Sequence, residues 1–382
     1  MSTQEFLVGS ALLASETPRN PQSVARVQPL TTQRFEWTMG AYMVLLCLGS
    51  SLDNWAHFHG KVDQSFFTPW HAVLYGMMAL MGTVLGPTAF SNRKKGFAWQ
   101  RSLPQGYMVS LLGVGLFIVA GLIDLCWHLM FGIEFDTAAY ISPPHLFLLT
   151  SGILAGTGPV RSAWYRLTPS TARGWRTLGP MLLSAASAVA ALAMFTVFAS
   201  PMVDTFAAKN PHQVTMAFTN MVYTNSGATN GMGHGDMSSF EQALGVAEVI
   251  VQTVLLMSFT LLLLRIWRLP FGSLTLLIAF PSALQALMAD NYWLIAGATI
   301  TGLMADLIVR RLRSPLAGRA LYIVGASVPA IYVATMFTTF WLTVGTDWPA
   351  TLLVGTTIYA AVTGLLLAFL LDWPLRHRDQ AV

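Results

Sequence analysis

Residues 107–131 read YMVSLLGVGLFIVAGLIDLCWHLMF, an apolar stretch whose only charged residue is Asp124 and whose only histidine is His128. A helix over these residues is long enough to cross a hydrocarbon core of about 30 Å. Lipid offers no hydrogen-bond partners, so the backbone of a spanning segment must satisfy its own polar groups. Because the apolar residues do not alternate with polar ones, we predict a transmembrane helix and not a strand of a β-barrel.

Similar apolar blocks recur along the chain, which is 54% hydrophobic and 10% charged. A soluble domain usually has about 25% charged residues. The predicted fold class is therefore all-α, a polytopic bundle of about ten transmembrane helices. These predicted helices cover residues 37–56, 69–91, 107–131, 143–162, 178–200, 241–265, 271–289, 291–309, 319–344 and 349–371.

Basic residues determine the predicted orientation, because lysine and arginine collect on the cytoplasmic side of a membrane. All 21 of them except Lys61 and Lys209 fall in the termini or in every second connection between the predicted helices. We therefore expect a multi-pass protein of a bacterial cytoplasmic membrane, embedded in the lipid bilayer, with both termini in the cytoplasm. The net charge of +4 then reflects membrane orientation and does not indicate nucleic-acid binding.

We expect four regions along the chain. Residues 1–34 form a disordered cytoplasmic tail, and residues 35–162 form a duplicated two-helix unit. Residues 163–372 form the remaining helical bundle, which includes a long polar outer connection at 201–240. Residues 373–382 form a second cytoplasmic tail.

One pattern occurs twice within the duplicated unit. The first predicted helix ends in SLDNWAHFHG and the third ends in LIDLCWHLMFG, while the helices that follow them begin at TPWH and SPPH. The corresponding residues are Asp53 and Asp124, His57 and His128, and His71 and His145. Because each copy contains two helices, we predict a parallel internal repeat in which helices 1–2 and 3–4 have the same orientation.

Each copy is expected to bring one aspartate and two histidines together. Aspartate and histidine four positions apart lie on one face of a helix. A Thr or Ser cap followed by proline places the next histidine in the first turn of the neighbouring helix. Such a cluster is costly in a poorly hydrated place unless a proton or a cation compensates its charge. We predict metal sites near the extracytoplasmic face, formed by Asp53, His57 and His71 and by Asp124, His128 and His145.

An accessory metal site is predicted in the long outer connection. The sequence GMGHGDM brings Met232, His234 and Met237 into one short glycine-rich stretch. Thioether and imidazole ligands together suit Cu(I). His59, close to His57, is a further candidate ligand. The alternative is that these methionines pack against the membrane surface or the helix bundle.

The Asp-x3-His pattern followed by a second histidine resembles the membrane metal site of the C subunit of particulate methane and ammonia monooxygenases. The resemblance covers residues 51–145, and here the unit is duplicated. It implies copper as the cofactor, with dioxygen and a small apolar or amine-type substrate. It also implies partners, namely other membrane subunits or an electron donor.

Other functions fit the same residues. A zinc-dependent intramembrane hydrolase would use three protein ligands and a water, and iron also binds imidazole. A copper transport or handling protein would capture the ion in the outer connection. In a non-catalytic subunit of a membrane complex, each Asp–His pair would be a structural hydrogen bond between helix ends.

Overall fold

The computed structural model describes residues 28–61, 66–132, 138–168, 172–209, 234–312 and 315–379. All regular structure in these residues is helical, which confirms the predicted all-α class for this part of the chain. The helices are α1 Gln33–Phe58, α2 Pro69–Lys94, α3 Met108–Phe131, α4 Ala138–Ile141, α5 Pro143–Gly156, α6 Gly158–Arg166, α7 Gly174–Phe195, α8 His234–Ile266, α9 Ser273–Met288, α10 Leu294–Arg311, α11 Arg319–Thr343 and α12 Ala350–Asp379.

Six of the described helices are long and apolar enough to cross a membrane, which indicates an integral membrane protein. They are α2, α3, α7, α11, the Ser239–Ile266 part of α8 and the Ala350–Asp372 part of α12. Helix α1 is as long as α2, at 26 residues, but polar side chains near both its ends lower its hydropathy. Helices α5 and α9 are shorter, at 14 and 16 residues.

The predicted helix at 143–162 is not continuous, which corrects the sequence prediction. Helix α5 ends at Gly156 and α6 begins at Gly158, with Thr157 between them. Pro159 contributes to the break, because its ring nitrogen has no hydrogen to donate to the carbonyl one turn earlier. At the break, both the backbone N–H and the hydroxyl of Thr157 donate to the carbonyl oxygen of Ile153, at 3.0 and 2.5 Å.

Helix α7 lies at the centre of the bundle, where α1, α5, α6, α8 and α9 pack against it. Its inner faces carry mainly alanine, serine and glycine. Small side chains let neighbouring helix backbones approach closely inside a membrane. The buried Ser184 hydroxyl also donates to the Gly156 carbonyl at 2.7 Å, which joins α7 to the end of α5.

Helices α3 and α5 touch through their backbones at Gly113. A Cβ atom on Gly113 would lie 2.3 Å from the backbone nitrogen of Ala155, closer than any real contact allows. Helix α3 also carries Asp124 and His128, while α5 carries His145. This glycine contact therefore sets the distance between the two helices that form the second predicted metal site.

The opposite end of α1 is held by a buried carboxylate, Glu36. Its oxygens accept hydrogen bonds from the hydroxyls of Tyr107 and Ser162, both at 2.6 Å. The Arg166 guanidinium donates to the same carboxylate at 2.8 Å. This network joins α1 to the start of α3 and to α6, so α1 is fixed far from its histidines.

The predicted outer connection at 201–240 is shorter than expected and partly internal. Helix α8 begins at His234 instead of residue 241. Residues 202–208 are buried, because Met202 and Phe206 pack in the apolar core of the carboxy-terminal helices. The side-chain amide of Asn291 donates to the Met202 carbonyl at 3.1 Å, which satisfies a buried backbone group. Residues 210–233 lie outside the described residues.

The close approach at Gly113 gives a stability prediction. Gly113→Ala should lower the free energy of unfolding by about 1–3 kcal/mol, because α5 must move away from α3. Gly115→Ala is the matched control, since a Cβ atom there meets nothing within 4 Å. Both changes add the same helix-favouring methyl group. Thermal unfolding in detergent measures the difference, and equal melting temperatures for the two variants would contradict the prediction.

Candidate metal centre

The ends of four helices meet around the predicted metal ligands. Asp53 and His57 lie one turn apart near the end of α1, and His71 lies in the first turn of α2. Thr68 caps α2 as the sequence predicts, because its hydroxyl oxygen accepts a hydrogen bond from the backbone N–H of His71 at 3.1 Å. The first predicted triad is thereby brought together, with its ligand atoms within 4.8 Å of one another.

The second triad is built in a similar way from α3 and α5. Asp124 and His128 lie near the end of α3, and His145 lies in the first turn of α5. Their ligand atoms also fall within 4.8 Å of one another. Ser142 occupies the cap position of α5 but does not cap it, because its hydroxyl bonds to Nδ1 of His145 at 2.8 Å.

In each triad an imidazole nitrogen faces a carboxylate oxygen across a gap longer than a hydrogen bond. The Nε2 atom of His71 lies 3.5 Å from Oδ1 of Asp53. In the second triad, Nε2 of His128 and of His145 lie 3.4 and 3.3 Å from Oδ1 of Asp124. A tetrahedral ion with bonds of about 2.0–2.1 Å holds neighbouring ligand atoms about 3.3–3.4 Å apart. The measured gaps match that separation.

The contacts of Nδ1 in His71 and His128 establish which ring nitrogen carries the hydrogen. Nδ1 of His71 lies 2.6 Å from the Phe66 carbonyl oxygen, and Nδ1 of His128 lies 3.1 Å from the Gly132 carbonyl oxygen. A carbonyl oxygen only accepts, so Nδ1 is the donor in both rings. In the neutral ring, Nε2 then has a lone pair directed to the carboxylate side, which is the tautomer that metal-binding histidines adopt.

A lone pair on the imidazole Nε2 atom therefore faces the lone pairs of a carboxylate oxygen unless a positive charge lies between them. A proton on Nε2 would form a charge-assisted hydrogen bond, and such bonds usually measure about 2.7–2.9 Å. The wider gaps fit a cation better than a proton. In the first triad, Nδ1 of His57 is also buried and has no hydrogen-bond partner.

The two triads are neighbours. The Phe66 ring lies between them, with its centroid 5.0 Å from that of His71 and 6.1 Å from that of His128. The carboxylate of Asp53 lies within electrostatic range of both Asp124 and His128. Each triad is thus part of the electrostatic surroundings of the other.

Both triads open on one cavity of about 430 Å³. Asp53, His57 and His71 line it from the first triad, and Asp124 and His145 line it from the second. Apolar side chains form most of the remaining wall, among them Met43, Leu46, Leu74, Phe117, Leu148 and Met194. A metal held by either triad would therefore have its free coordination positions directed to an apolar space.

His59 does not join the first triad. Its Nδ1 atom lies 2.8 Å from the Trp55 carbonyl oxygen, and its Nε2 atom lies 2.8 Å from the carboxylate of Asp290. Partial burial disfavours the charged ring, but the hydrogen bonds with Asp290 and Trp55 outweigh it, and the pKa of His59 is raised. The interaction ties the end of α1 to the turn between α9 and α10.

The accessory site predicted at Met232, His234 and Met237 falls largely outside the part of the chain that the structure describes. Met232 lies outside the described residues, and the side chains of His234 and Met237 do too. The backbone of His234 and Met237 belongs to the first turn of α8. Copper capture by these three residues stays a prediction.

Three residues near the cavity were not predicted from the sequence. Tyr75 lies one turn after His71, so it is on the same face of α2, and its hydroxyl interacts with Asp124. Asp204 is buried and lines the cavity, and Glu248 of α8 is buried close to it. The four-residue spacing of Tyr75 from His71 could have predicted that both lie on the same face of α2. Nothing in the sequence connects residue 204 with α1.

Comparison of the chain with protein-family models, with curated proteins and with solved structures gave no match.

Ligand substitutions give a prediction about metal content. Asp124→Asn should remove the transition metal from the second triad and leave the first, so that the metal content falls by roughly half. Adding Asp53→Asn should remove the remainder. His59→Ala is the control, because its imidazole lies nearby but bonds to Asp290. Elemental mass spectrometry of protein purified without chelator measures the metal. Equal metal content in the control and in the double variant would contradict the assignment of the triads.

Proposed function

We propose that the chain is a membrane metalloprotein that binds a transition metal ion in each His₂Asp triad, and that it acts as a copper-dependent monooxygenase-like subunit. The observation that carries the proposal is the arrangement at His71 and His128. Their Nδ1 atoms donate to carbonyl oxygens, and their Nε2 lone pairs lie 3.4–3.5 Å from carboxylate oxygens. This arrangement calls for a cation.

We further propose ten spans, with the triads near the extracytoplasmic face and both termini in the cytoplasm of a bacterium. The distribution of basic residues supports this orientation. Helices α1–α2 and α3–α5 are then two copies of a parallel repeat, related by a rotation about an axis roughly normal to the membrane. The equivalent positions of Asp53 and Asp124 near helix ends, and of His71 and His145 in first turns, support the repeat.

The donor set is compatible with copper, zinc and iron, since imidazole binds all three. The surroundings favour redox chemistry on an apolar molecule. The wall of the cavity is mainly apolar, and the described residues that line it include no lysine or arginine to hold an anionic substrate. Copper, when bound, supplies the redox chemistry that activates dioxygen.

The side chains of the cavity have definite tasks in this proposal. Met43, Leu46 and Leu148 exclude water and hold an apolar substrate next to the triads. The carbonyl oxygens of Phe66 and Gly132 fix the orientation of the imidazoles. Asp204, at the cavity wall, is placed to hold a proton close to the reacting atoms.

Hydroxylation of a C–H bond requires more than this chain provides. The reaction consumes dioxygen, two electrons and two protons, and it produces an alcohol and water. The proposal therefore includes an electron donor, either another membrane subunit or a reduced carrier in the bilayer. The resemblance to the monooxygenase C subunit implies the same kind of partnership.

A zinc-dependent intramembrane hydrolase is the second candidate. The gaps of 3.3–3.5 Å in the triads fit tetrahedral zinc as well as they fit copper. A zinc site with three protein ligands would use its remaining position for the attacking water. The two candidates differ in metal identity and in their need for an electron donor.

Metal identity tests the proposal directly. Protein extracted from its own membranes without chelator should contain copper, and its oxidised form should give an electron paramagnetic resonance signal with coupling to imidazole nitrogen. The signal should be lost when His57→Ala and His128→Ala are combined, and it should persist in His59→Ala. Zinc without a resonance signal would support the hydrolase instead. If the protein contains no stoichiometric transition metal, both metal proposals fail. The remaining interpretation is a structural subunit in which Asp–His pairs join the helix ends.

Cysteine labelling tests the proposed orientation. Lys61 and Lys95 are both exposed, and the proposal places them on opposite sides of the membrane. In a chain in which Cys47 and Cys126 are replaced by serine, Lys61→Cys should react with a membrane-impermeant maleimide added outside intact cells. Lys95→Cys should react only after the cells are permeabilised. Equal reaction of both in intact cells would overturn the orientation.

A further inference from the structure

A second apolar space lies on the outside of the bundle, between α2 and α3. It is a groove of about 690 Å³. Its lining includes Phe67, Met78, Val114, Ile118, Leu122 and Leu125, and no charged side chain belongs to it among the described residues. Ile118 and Leu122 are 59% and 60% exposed. Both helices are long and apolar enough to span a membrane, so the bilayer is what surrounds this groove.

The groove and the metal cavity share a wall. Three residues, His71, Tyr75 and Phe117, line both spaces. The rings of Tyr75 and Phe117 meet edge to face, with centroids 5.6 Å apart. The partition between the lipid-facing groove and the cavity is therefore one side chain thick.

A glycine makes this partition possible. A Cβ atom on Gly121 of α3 would lie 2.6 Å from the ring of Tyr75. The Tyr75 ring consequently rests directly on the α3 backbone, where a larger residue would displace it. Its hydroxyl interacts with Asp124, which lines the cavity. One aromatic side chain thus contacts the groove, the glycine and the second triad.

We propose that a small neutral apolar molecule dissolved in the bilayer enters the metal cavity sideways, through the groove between α2 and α3, past the ring of Tyr75. The inference rests on the proposed function, because it takes the apolar molecule to be the substrate of the triads. It names the substrate class as molecules that partition into lipid, and it assigns Tyr75 and Gly121 to the path.

The chemistry of the groove decides which molecules use it. A neutral apolar molecule loses no hydrogen bonds on leaving the lipid, whereas a charged or strongly polar one would leave its polar groups unpaired on this path. The apolar lining offers dispersion contacts similar to those of the lipid chains. Concentration of the molecule in the bilayer then supplies the cavity without a route through water.

The experiment uses a short alkyl diazirine as a photoreactive probe in lipid vesicles that contain the full chain. Photolysis should label residues of the cavity, such as Leu148 and Met194, which line it but do not line the groove. A probe of equal length that ends in a carboxylate should label the cavity several-fold less. Peptide mass spectrometry locates and quantifies the labels.

Three tryptophan substitutions on α3 make the test specific. Ile118→Trp fills the groove and should reduce cavity labelling several-fold. Ile123→Trp is the matched control, because Ile123 is 44% exposed but lines neither space. Leu122→Trp repeats the blockage from a second groove position. Equal cavity labelling of Ile118→Trp and Ile123→Trp, at any level, would overturn the inference.

The same samples separate this inference from the proposed function. The probe needs no metal, so labelling is measured alongside the metal content of each sample. Reduced labelling in Ile118→Trp supports the path even when no copper is found, in which case only the copper proposal fails. If Ile118→Trp and Ile123→Trp both contain copper and show the same cavity labelling, the proposed path is wrong. The proposed metal sites are then still supported.

Discussion

The burial of two carboxylates beside imidazoles is the constraint on which the centre of this protein depends. Asp53 and Asp124 are both buried, and Asp124 is only 1% exposed. Their neighbours include the imidazoles of His71 and His128, whose Nδ1 hydrogens are already donated to carbonyl oxygens. Burying a carboxylate is expensive unless a cation or a set of donors compensates. Under the proposed function, a bound metal ion would supply that positive charge.

The remainder of the bundle holds the four helix ends in position. Helix α7 provides the surface against which α1 and α5 pack, and its small residues allow the close approach. Glu36 fixes the far end of α1 to α3 and α6, while Gly113 sets the spacing of α3 and α5. These contacts lie away from the triads, so the positions of the ligand atoms do not rely on the metal alone.

Local features of this structure could be predicted from the sequence, and contacts between distant residues could not. Helix spacing placed Asp53 beside His57, and the Thr-Pro start placed His71 in a first turn, since these effects act within a few residues. The break at Thr157 could not be predicted from Pro159 alone, because α2, α7, α9 and α11 each continue through a proline. The shared cavity could not be predicted either, because it requires α7 and the segment at Asp204 to close around α1. The contact of His59 with Asp290 could not be predicted for the same reason, since the two residues are far apart along the chain.

Phe66 has a consequence for how the two triads fill. Its carbonyl oxygen orients His71, and its ring lies against His128. If the first triad binds a metal, any resulting shift of His71 would reach His128 through this single residue. Such a connection is a coupling free energy between sites, and thermodynamic linkage makes it reciprocal. If both triads bind metal, occupancy of one would change the affinity of the other by the same factor in both directions.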